Sequence, residues 1–256
     1  MTTVSHHDER VTPHRPIRVV ISQPMLFPWV GLLEQVRLAD AFVYYDDVQY
    51  SKGSFTNRVQ LKAPSRSTGT MWMTIPLRDQ HLGQTIASLK TREDDSWRAR
   101  HRDLFAQVYA GAPFLEDAMS LLRGVHRIET DSVASLVIAS MEALSDYFDL
   151  WPRSVHLSSR LGVPGKGSDR VLAIVQRLGG GVYVTGHGAR NYLEHERFER
   201  AGVRVDYMKY AMSAYPQQHG LFTPFVSALD LVANVGKAGR AMIASGAVPW
   251  KEFVRS

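Results

Sequence analysis

The sequence predicts an α/β fold with a mixed, mainly parallel sheet flanked by helices. Residues 17–22 form a short β-branched apolar run, residues 29–38 carry apolar side chains at helical spacing, and residues 41–45 form a second apolar run. A strand, a helix and a strand in so short a segment predict a βαβ unit, in which the two strands are parallel. Strand and helix patterns alternate again between residues 154 and 234, so both ends of the chain are expected to contribute strands.

The remaining elements are predicted from the same periodicity and from turn residues. Two more strands are expected at 55–61 and 71–77, joined by a loop of Pro, Ser and Gly. Helices are expected at 94–109 and 115–149, which makes residues 94–150 a helical insert. The C-terminal half is expected to contain, in chain order, a strand at 154–157, a helix at 169–178, strands at 181–185 and 203–207, and a helix over 227–234 that Ser227 caps.

Length and composition favour one globular unit without disulfides. The chain has 256 residues, of which 45% are hydrophobic, so it can bury a substantial core. We predict one domain over residues 17–256, with the insert at 94–150, and a disordered polar lead-in at 1–16. The absence of cysteine excludes disulfides, thiolate metal sites and a cysteine nucleophile, and it is compatible with a reducing compartment.

Neither a membrane span nor a signal peptide is predicted. The chain contains no run of about 18 apolar residues, and its polar N-terminus lacks an apolar core. A cytoplasmic location is therefore expected. The net charge of +5 is compatible with an ordinary basic surface and equally with a polyanionic partner, such as a nucleotide, a phosphorylated sugar, tRNA or an acidic carrier protein.

The densest group of charged side chains follows the predicted strand at 41–45. Its polar members are Asp46, Asp47, Gln49, Lys52, Asn57 and Arg58. Because ligands of α/β sheets bind outside the carboxyl ends of strands, this segment is a candidate site in which either aspartate could act as a base. The alternative is an aspartate-containing turn with surface ion pairs.

A glycine-rich loop precedes the predicted helix at 169–178. The run Gly165-Lys166-Gly167-Ser168 places a lysine beside a helix N-terminus, where free backbone N–H groups attract anions. Its spacing is not that of a P-loop. Phosphate contact by this loop and a simple helix cap by Ser168 or Asp169 are equally compatible with the sequence.

A histidine lies between two glycines at the end of the predicted strand at 181–185. The run Gly186-His187-Gly188 does not serve core packing, since glycine lets backbone or ligand approach closely. His187 is therefore a candidate proton shuttle. A solvent-exposed turn is the alternative.

A segment rich in hydrogen-bonding side chains precedes the last predicted helix. Tyr215, Gln217 and His219 are followed by Ser227 and Asp230. This composition favours a binding loop that docks before the helix, and a rigid connection set by proline is the alternative.

Other features are less informative. Trp97 lies among basic side chains, namely Arg92, Arg98, Arg100, His101 and Arg102. Acidic neighbours dilute this charge, which favours a solvated helix face over a nucleic-acid site. The usual motifs of serine hydrolases, zinc proteases and dinucleotide-binding enzymes are absent, and no metal site is predicted.

Taken in order, the motifs resemble the WbqC-like family from about residue 17 to residue 245. The matching positions are Gln23, Pro24, Pro28, Trp29, Gly31, Asp46 to Tyr50, Lys52, Asn57, Arg58, Lys166, Ser168, Asp169, Arg170, Tyr192, Tyr215 with Gln217 or Gln218, Ser227, Asp230 and Asn234. Two departures stand out. Gly53 occupies a position where a second basic residue is expected, and His187 stands where many members have proline or a small residue.

The resemblance implies an enzyme that transfers glycine, or another amino acid, onto an amino sugar or a related amine. The activated donor would be an aminoacyl-tRNA or a carrier protein, and the acceptor a small amine on a sugar nucleotide or a metabolite. No cofactor is expected, and a homo-oligomeric state is left open. Without cysteine, transfer would be direct, with no thioester on the enzyme. A nucleotide-dependent ligase or nucleotidylyltransferase-like enzyme that uses ATP, and a non-catalytic module that binds an anionic ligand, are the alternatives.

Amide formation needs a base for the ammonium nucleophile, hydrogen-bond donors for the oxyanion and positive charge for a phosphorylated carrier. The expected catalytic residues are Asp46, Asp47, His187 and Lys52. Cationic side chains are expected to hold phosphate, namely Lys52, Arg58, Lys166 and Arg170. Polar side chains of the motifs are expected to supply the remaining substrate contacts, namely Gln23, Gln49, Asn57, Asp169, Tyr192, Tyr215, Gln217, His219 and Asp230.

Overall fold

A computed structural model describes residues 15–63 and 69–255. The strands in these ranges are β1 (Ile17–Ser22), β2 (Ala41–Tyr44), β3 (Arg58–Lys62), β4 (Thr70–Thr74), β5 (Leu77–Arg78), β6 (Lys90–Thr91), β7 (Ser154–Leu157), β8 (Gly180–Thr185), β9 (Arg204–Met208) and β10 (Ala247–Pro249). Six of them form one sheet, and the pairs β3–β4 and β5–β6 form two small antiparallel sheets. Of the predicted disordered lead-in, residues 1–14 lie outside the described residues, as does most of the predicted loop at 64–69.

The large sheet is mixed and mainly parallel, which confirms the predicted fold class. Its strand order is β10-β9-β8-β1-β2-β7, and every neighbouring pair is parallel except β10 and β9. The chain thus starts at β1, adds β2 and β7 on one side, and then returns to add β8 and β9 on the other. This is the doubly wound order, in which ligands bind at the carboxyl ends of the two strands where the order reverses. Those strands are β1 and β8.

Both faces of the central strands are buried. Val20 and Phe42 pack into the larger core on one face, and Val19 and Val43 pack into the second core on the other face. Two-sided burial explains why these strands are continuous apolar runs instead of alternating polar and apolar residues.

Helices cover both faces of the sheet. Within the described residues they are α1 (Val30–Leu38), α2 (Ser96–Val108), α3 (Leu115–His126), α4 (Val133–Phe148), α5 (Ser158–Leu161), α6 (Gly167–Arg177), α7 (His195–Arg200), α8 (Ala228–Val235) and α9 (Trp250–Arg255). Short 3-10 helices occur at Ile86–Ser88, His187–Asn191 and Gly236–Met242. α1, α4 and α8 pack into the larger core, whereas α6 and α7 pack into the second core.

The prediction of one helical block at 115–149 is wrong, since two helices, α3 and α4, occupy it. The chain leaves the helix at residues 127–132 because Val133 N donates to Leu89 O and Lys90 forms a β-bridge with Ser132. Ser132 then caps α4 by accepting a hydrogen bond from Ser135 N at 3.3 Å. Cap-forming side chains at residues 130–132 indicate this break, but the apolar periodicity alone does not.

Two serines hold the loop after β1 in a left-handed turn at Phe27, where φ is 35°. Phe27 N donates to Ser140 Oγ, and Ser227 Oγ donates to Phe27 O, each at 2.8 Å. Ser227 also caps α8, as the sequence predicts. The indole of Trp29 lies over Gly31, where a Cβ atom would overlap the ring, so this position requires glycine.

The expectation of a solvated helix face around Trp97 is wrong in part, since Arg92 and Arg100 are exposed but the side chains closest to the ring are buried. Trp97, Arg98 and His101 are each less than a tenth exposed. The rings of Trp97, His101 and His126 cluster with centroids 5.0–5.5 Å apart. His101 Nε2 donates to Thr74 O at 2.9 Å, and the Nδ1 atoms of both histidines are buried without a hydrogen-bond partner among the described residues. Burial lowers the pKa of His101 to about 4 and that of His126, which also faces the charges of neighbouring basic groups, to about 3.

This histidine pair predicts a loss of stability in mild acid. In the unfolded chain both histidines take up a proton near pH 6.5, whereas in the folded chain they stay neutral until about pH 4 and pH 3. The unfolded state therefore binds more protons below pH 6.5, and the free energy of unfolding falls there by roughly 1 kcal/mol per pH unit for each histidine. Urea unfolding at pH 7 and pH 5 measures this fall.

The variant His126→Phe cannot bind a proton at this position, so we expect a clearly smaller fall between pH 7 and pH 5 than in the wild type. The exposed His81 provides the control, because His81→Gln should leave the fall unchanged. An equal fall in wild type and His126→Phe would show that other groups cause the acid sensitivity.

Candidate functional site

A cavity of about 340 Å³ opens at the carboxyl edge of the large sheet, between the end of β2 and the start of α6. Its polar and aromatic lining residues are Tyr45, Asp47, Gln49, Lys166, Arg170 and Tyr192. Five of these six were expected from the sequence to contact substrate or take part in catalysis, and they come from three separate motifs. They meet because parallel strands end, and the following helices begin, at the same edge of the sheet. We call this cavity the edge pocket.

Asp47 and Arg170 form an ion pair inside the edge pocket. Arg170 Nη2 donates to Asp47 Oδ2 at 2.5 Å, and Ser158 Oγ donates to Asp47 Oδ1 at 2.5 Å. Partial burial works to raise the pKa of Asp47, but the hydrogen bonds from Arg170 and Ser158 outweigh it, so the pKa is lowered. Asp47 is therefore ionised at neutral pH, and its side chain is 27% exposed, so a ligand can reach it.

The N-terminus of α6 supplies positive potential on the same side of the edge pocket. Gly165 and Gly167 adopt φ values of 99° and 58°, which favour glycine. Between them, Lys166 occupies the N-cap position with an exposed side chain, and no ion pair of Lys166 is found among the described residues. Free backbone N–H groups of the first turn and an unpaired ammonium form a site that suits an anion.

Two tyrosine rings complete the edge pocket. Tyr45 lies against Arg170, whose guanidinium carbon is 5.1 Å from the ring centroid. Tyr192 is 59% exposed, and Ser168 holds its segment on α6 by donating to Tyr192 O and accepting from Glu194 N. Burial against the protein raises the pKa of both phenols, so each hydroxyl is protonated at neutral pH. The edge pocket thus combines cations, a carboxylate and two aromatic rings.

Asp46, although adjacent to Asp47, points away from the edge pocket and is 4% exposed. Its Oδ1 accepts from Ser159 N at 3.0 Å, its Oδ2 accepts from Ser159 Oγ at 2.7 Å, and its backbone N donates to Ser158 Oγ at 3.1 Å. These bonds tie the end of β2 to the start of α5. A carboxylate that is so fully engaged supports the architecture of the site and is poorly placed to act as a base.

Two further predicted residues lie near this edge without lining the cavity. Asp169 points outward and pairs with Arg197 on the surface. Gln23 directly follows β1 and is half-buried at the carboxyl edge, beside the strand-order reversal. The structure thus places Gln23 where doubly wound sheets bind ligands, but not among the side chains that line the edge pocket.

His187 is exposed at the end of β8 and does not line the edge pocket. Its Nε2 donates to Met208 O at 2.7 Å, and its ring packs against Phe253 of α9, with centroids 4.7 Å apart. The donor bond to a backbone carbonyl leaves only Nδ1 free to exchange a proton.

The predicted residues between 52 and 58 lie apart from the edge pocket. Lys52 is exposed, and Asn57 is buried, where it accepts from Tyr50 Oη and donates to a backbone carbonyl, both at 2.8 Å. Arg58 donates to Gly53 O and stacks on Trp72, with its guanidinium carbon 4.0 Å from the ring centroid. Asn57 and Arg58 therefore order the chain between β2 and β3.

A second polar group is buried inside the larger core. Tyr215, Gln217 and Asp230, all expected from the sequence, converge there with Lys62 and Tyr109. Asp230 is fully buried, and neither carboxylate oxygen has a hydrogen bond of normal geometry with any described residue. Burial raises the pKa of Asp230 to about 6, and the facing phenols, amide and ammonium offset this only in part. We call these five residues the Asp230 cluster.

His219, the last predicted contact, lies at the edge of the segment that covers the Asp230 cluster. Its φ of 60° is left-handed, and its Nε2 donates to Val108 O at 2.7 Å. His219 therefore fastens this segment to the end of α2.

The sequence motifs missed Tyr45, Lys62, Tyr109 and Ser158. Tyr45 directly precedes the aspartate pair, so its position at the strand end indicates it in retrospect. Lys62 shares a face of β3 with Arg58, since alternate residues of a strand point the same way, but nothing in the sequence predicts its burial. Tyr109 and Ser158 lie outside every motif.

A comparison with known protein families matches the part of the chain that contains both groups of residues. The WbqC-like protein family matches residues 23–242, which include the edge pocket and the Asp230 cluster. The chain belongs to the WbqC-like protein family. The resemblance predicted from the ordered motifs is thereby confirmed.

A relative of this WbqC-like protein is the uncharacterized protein Rv1507c of Mycobacterium tuberculosis. The two are 27% identical over 226 residues, which cover 86% of this chain and 94% of the relative. No solved structure matches the chain. Family membership and fold are therefore shown, and the activity has to be argued from the site.

The described residues contain no helix that is both long and apolar enough to cross a membrane. In the same ranges, no cluster of three or more His, Cys, Asp or Glu side chains could hold a metal ion.

The contrast between the buried Asp46 and a surface carboxylate such as Asp169 predicts a stability difference. Asp46→Ala removes two hydrogen bonds from Ser159 and leaves Ser159 N without its acceptor, so we expect the free energy of unfolding to fall by about 3 kcal/mol. Asp169→Ala, which removes an exposed ion pair, should lower it by less than about 1 kcal/mol. Denaturant unfolding measures both values, and equal losses would contradict the architectural role of Asp46.

Proposed function

We propose that this WbqC-like protein is an aminoacyl transferase that forms an amide on an amine-bearing, phosphorylated acceptor such as an amino sugar nucleotide. One observation carries the proposal: the edge pocket places an ionised carboxylate next to a helix N-terminus and two cationic side chains. An acceptor of this class carries both a phosphate and an ammonium group. Its two opposite charges match the two kinds of charge in the edge pocket.

The anionic end of the acceptor has its natural partners at the start of α6. Lys166 and the free N–H groups of the first helical turn suit a phosphate, and Arg170 lies close by. The rings of Tyr45 and Tyr192 offer apolar faces for a base or a sugar. A positive net charge of +5 favours approach of such an anion.

The amine end has its partner in Asp47. Arg170 and Ser158 each hold one oxygen of Asp47, but its side chain is 27% exposed and ionised at neutral pH, so it attracts and orients an ammonium group, which loses one proton to solvent. The free amine nitrogen then attacks the activated carbonyl carbon of the donor, and a C–N bond forms. The bond from that carbon to the ester oxygen or thioester sulfur breaks, and the leaving atom takes up the second proton that the nitrogen loses. No enzyme thioester is needed, in keeping with a chain that has no cysteine.

The strand order favours a second candidate, a nucleotide-dependent ligase that uses ATP. Doubly wound sheets commonly bind nucleotides where the strand order reverses. The loop after β1 is a proline-containing segment instead of a glycine-rich one, which weakens this candidate. Consumption of ATP separates it from direct transfer.

Lys166→Ala tests the acceptor site. Loss of an unpaired ammonium beside a phosphate should weaken binding of a uridine diphosphate amino sugar about 10-fold. Arg177→Ala is the matched control, since Arg177 is exposed at the opposite end of the same helix. Isothermal titration calorimetry measures both affinities, and an equal effect of the two variants would contradict phosphate binding at the edge pocket.

Transfer itself is tested with a mixed pool of charged tRNA and, separately, carrier-bound aminoacyl thioesters, with and without amine acceptors. Mass spectrometry identifies the amino acid that is lost from the donor and gained by the acceptor. We expect one amino acid to move without ATP, and Asp47→Asn to slow it about 100-fold because the carboxylate charge is lost. His187→Ala tests the alternate base. Transfer that requires ATP, or no transfer from any donor, would overturn this proposal.

A further inference from the structure

The Asp230 cluster draws its members from four separate parts of the fold. Lys62 ends β3, Tyr109 directly follows α2, and Asp230 lies in the first turn of α8. Tyr215 and Gln217 belong to residues 209–226, which connect β9 to α8 and contain neither helix nor strand. All five side chains face one another, although they are far apart in sequence. The folded chain therefore builds an enclosed polar centre inside an apolar core.

The carboxylate at this centre is unsatisfied. Both oxygens of Asp230 are buried, and neither accepts a hydrogen bond of normal geometry from any residue in the described part of the chain. The phenols of Tyr109 and Tyr215 and the amide of Gln217 nevertheless point toward it. A buried carboxylate without hydrogen bonds costs a protein stability, so such a group persists where it has a function.

Two of the neighbouring donors, the Lys62 ammonium and the Gln217 amide, have other partners, whereas the hydroxyls of Tyr109 and Tyr215 face Asp230 without forming a hydrogen bond of normal geometry to it. Lys62 Nζ donates to Leu221 O at 2.6 Å, and Gln217 Nε2 donates to Tyr215 Oη at 3.1 Å and to Thr223 O at 3.0 Å. The carboxylate therefore lacks a well-formed hydrogen bond, and a group on a ligand can supply one. That group must be a donor, because a carboxylate only accepts.

The segment 209–226 forms a roof over the centre. Hydrogen bonds hold this segment on the rest of the protein. Among them, Lys62 Nζ donates to Leu221 O, and Gln218 Nε2 donates to Asn234 Oδ1. Leu221 is 91% exposed at the outer side of this roof. Because residues 209–226 contain neither helix nor strand, the roof is the part of the enclosure that can open to admit a ligand.

We propose that the Asp230 cluster is a binding site for an α-ammonium carbonyl group, and thus the subsite for the aminoacyl end of the donor. The ammonium would donate to Asp230, and the carbonyl oxygen would accept from Lys62 or from the phenols of Tyr109 and Tyr215. Identification of this ligand as the donor rests on the proposed function. Binding requires the roof to move, so that Lys62 exchanges its bond to Leu221 O for the ligand.

The chemistry of the cluster distinguishes an amino acid ester or amide from its N-acylated form. A free ammonium brings three donors and a positive charge to the unsatisfied carboxylate, which offsets the cost of burying it. An N-acylated ligand brings one neutral donor and a bulky acyl group into an enclosed space. Binding should therefore depend on the free amine.

The first experiment measures binding of glycinamide and N-acetylglycinamide to the whole protein by ligand-observed NMR at millimolar concentrations. We expect glycinamide to bind the wild type and N-acetylglycinamide not to bind. Asp230→Asn, which keeps the shape and removes the charge, should weaken glycinamide binding at least 10-fold, and Tyr215→Phe should weaken it to a smaller degree. Equal binding of the two compounds, or full affinity in Asp230→Asn, would overturn the proposal.

Thermal unfolding provides a readout that needs no ligand. If Asp230 is retained for binding at the expense of stability, Asp230→Asn should raise Tm at pH 7.5 by about 5 °C. The gain should fall to about half near pH 5 and vanish only below about pH 4. At pH 5 the folded carboxyl, with a pKa of about 6, is protonated, but the unfolded carboxyl keeps its ordinary pKa near 3.8 and is still ionised, so burial of Asp230 still costs stability. The buried Asp206, which pairs with Arg204 through two bonds of 2.9 Å, is the control. Asp206→Asn should not raise Tm, and a loss of Tm in Asp230→Asn at both pH values would show a structural role and overturn the proposal.

The transfer assay separates this inference from the proposed function. Glycinamide binding that depends on Asp230, without transfer from any donor, would keep the subsite and reject the transferase. Transfer whose KM for the donor is unchanged in Asp230→Asn would keep the transferase and reject the subsite.

Discussion

The central strand β1 is buried on both faces, and this constraint shapes the rest of the molecule. Val19 and Val20 face different cores, so neither side of the strand can carry polar side chains. Polar groups are thereby displaced to the ends of the strands. At the carboxyl edge, the loops after β2 and β7 meet the start of α6, and this meeting forms the edge pocket.

Serine hydroxyls fasten the loops at this edge. Ser140 and Ser227 hold the left-handed turn at Phe27, Ser158 bridges the two adjacent aspartates, and Ser168 joins α6 to the segment of Tyr192. A hydroxyl both donates and accepts, so one serine can satisfy two backbone or side-chain groups where chains cross. The rigid edge that results supports charged side chains whose own flexibility would otherwise weaken ligand binding.

The parts of the fold and site that the sequence predicted are those with local physical causes. Apolar runs predicted the buried strands, and turn residues predicted the start of α6 and the cap of α8. The rule that ligands bind at strand ends selected Asp47, and the rule that helix N-termini attract anions selected Lys166. The structure brings both into one pocket with Arg170. The break between α3 and α4 was missed because a strand contact at Lys90, distant in sequence, draws the chain out of the helix.

By itself, the sequence determined the α/β class, the family and the set of polar residues near the site, because periodicity and ordered motifs are properties of neighbouring residues. Only the tertiary structure decided the roles within that set. Asp46 and Asp47 are adjacent in the chain, yet Asp46 is hydrogen-bonded to serines of α5, whereas Asp47 faces the edge pocket. Lys62 and Asp230 are 168 positions apart by their numbers, and their meeting depends on how β3 and α8 pack. Burial and neighbouring groups in space decide whether a side chain is charged and whether a ligand can contact it, and the local sequence determines neither burial nor spatial neighbours.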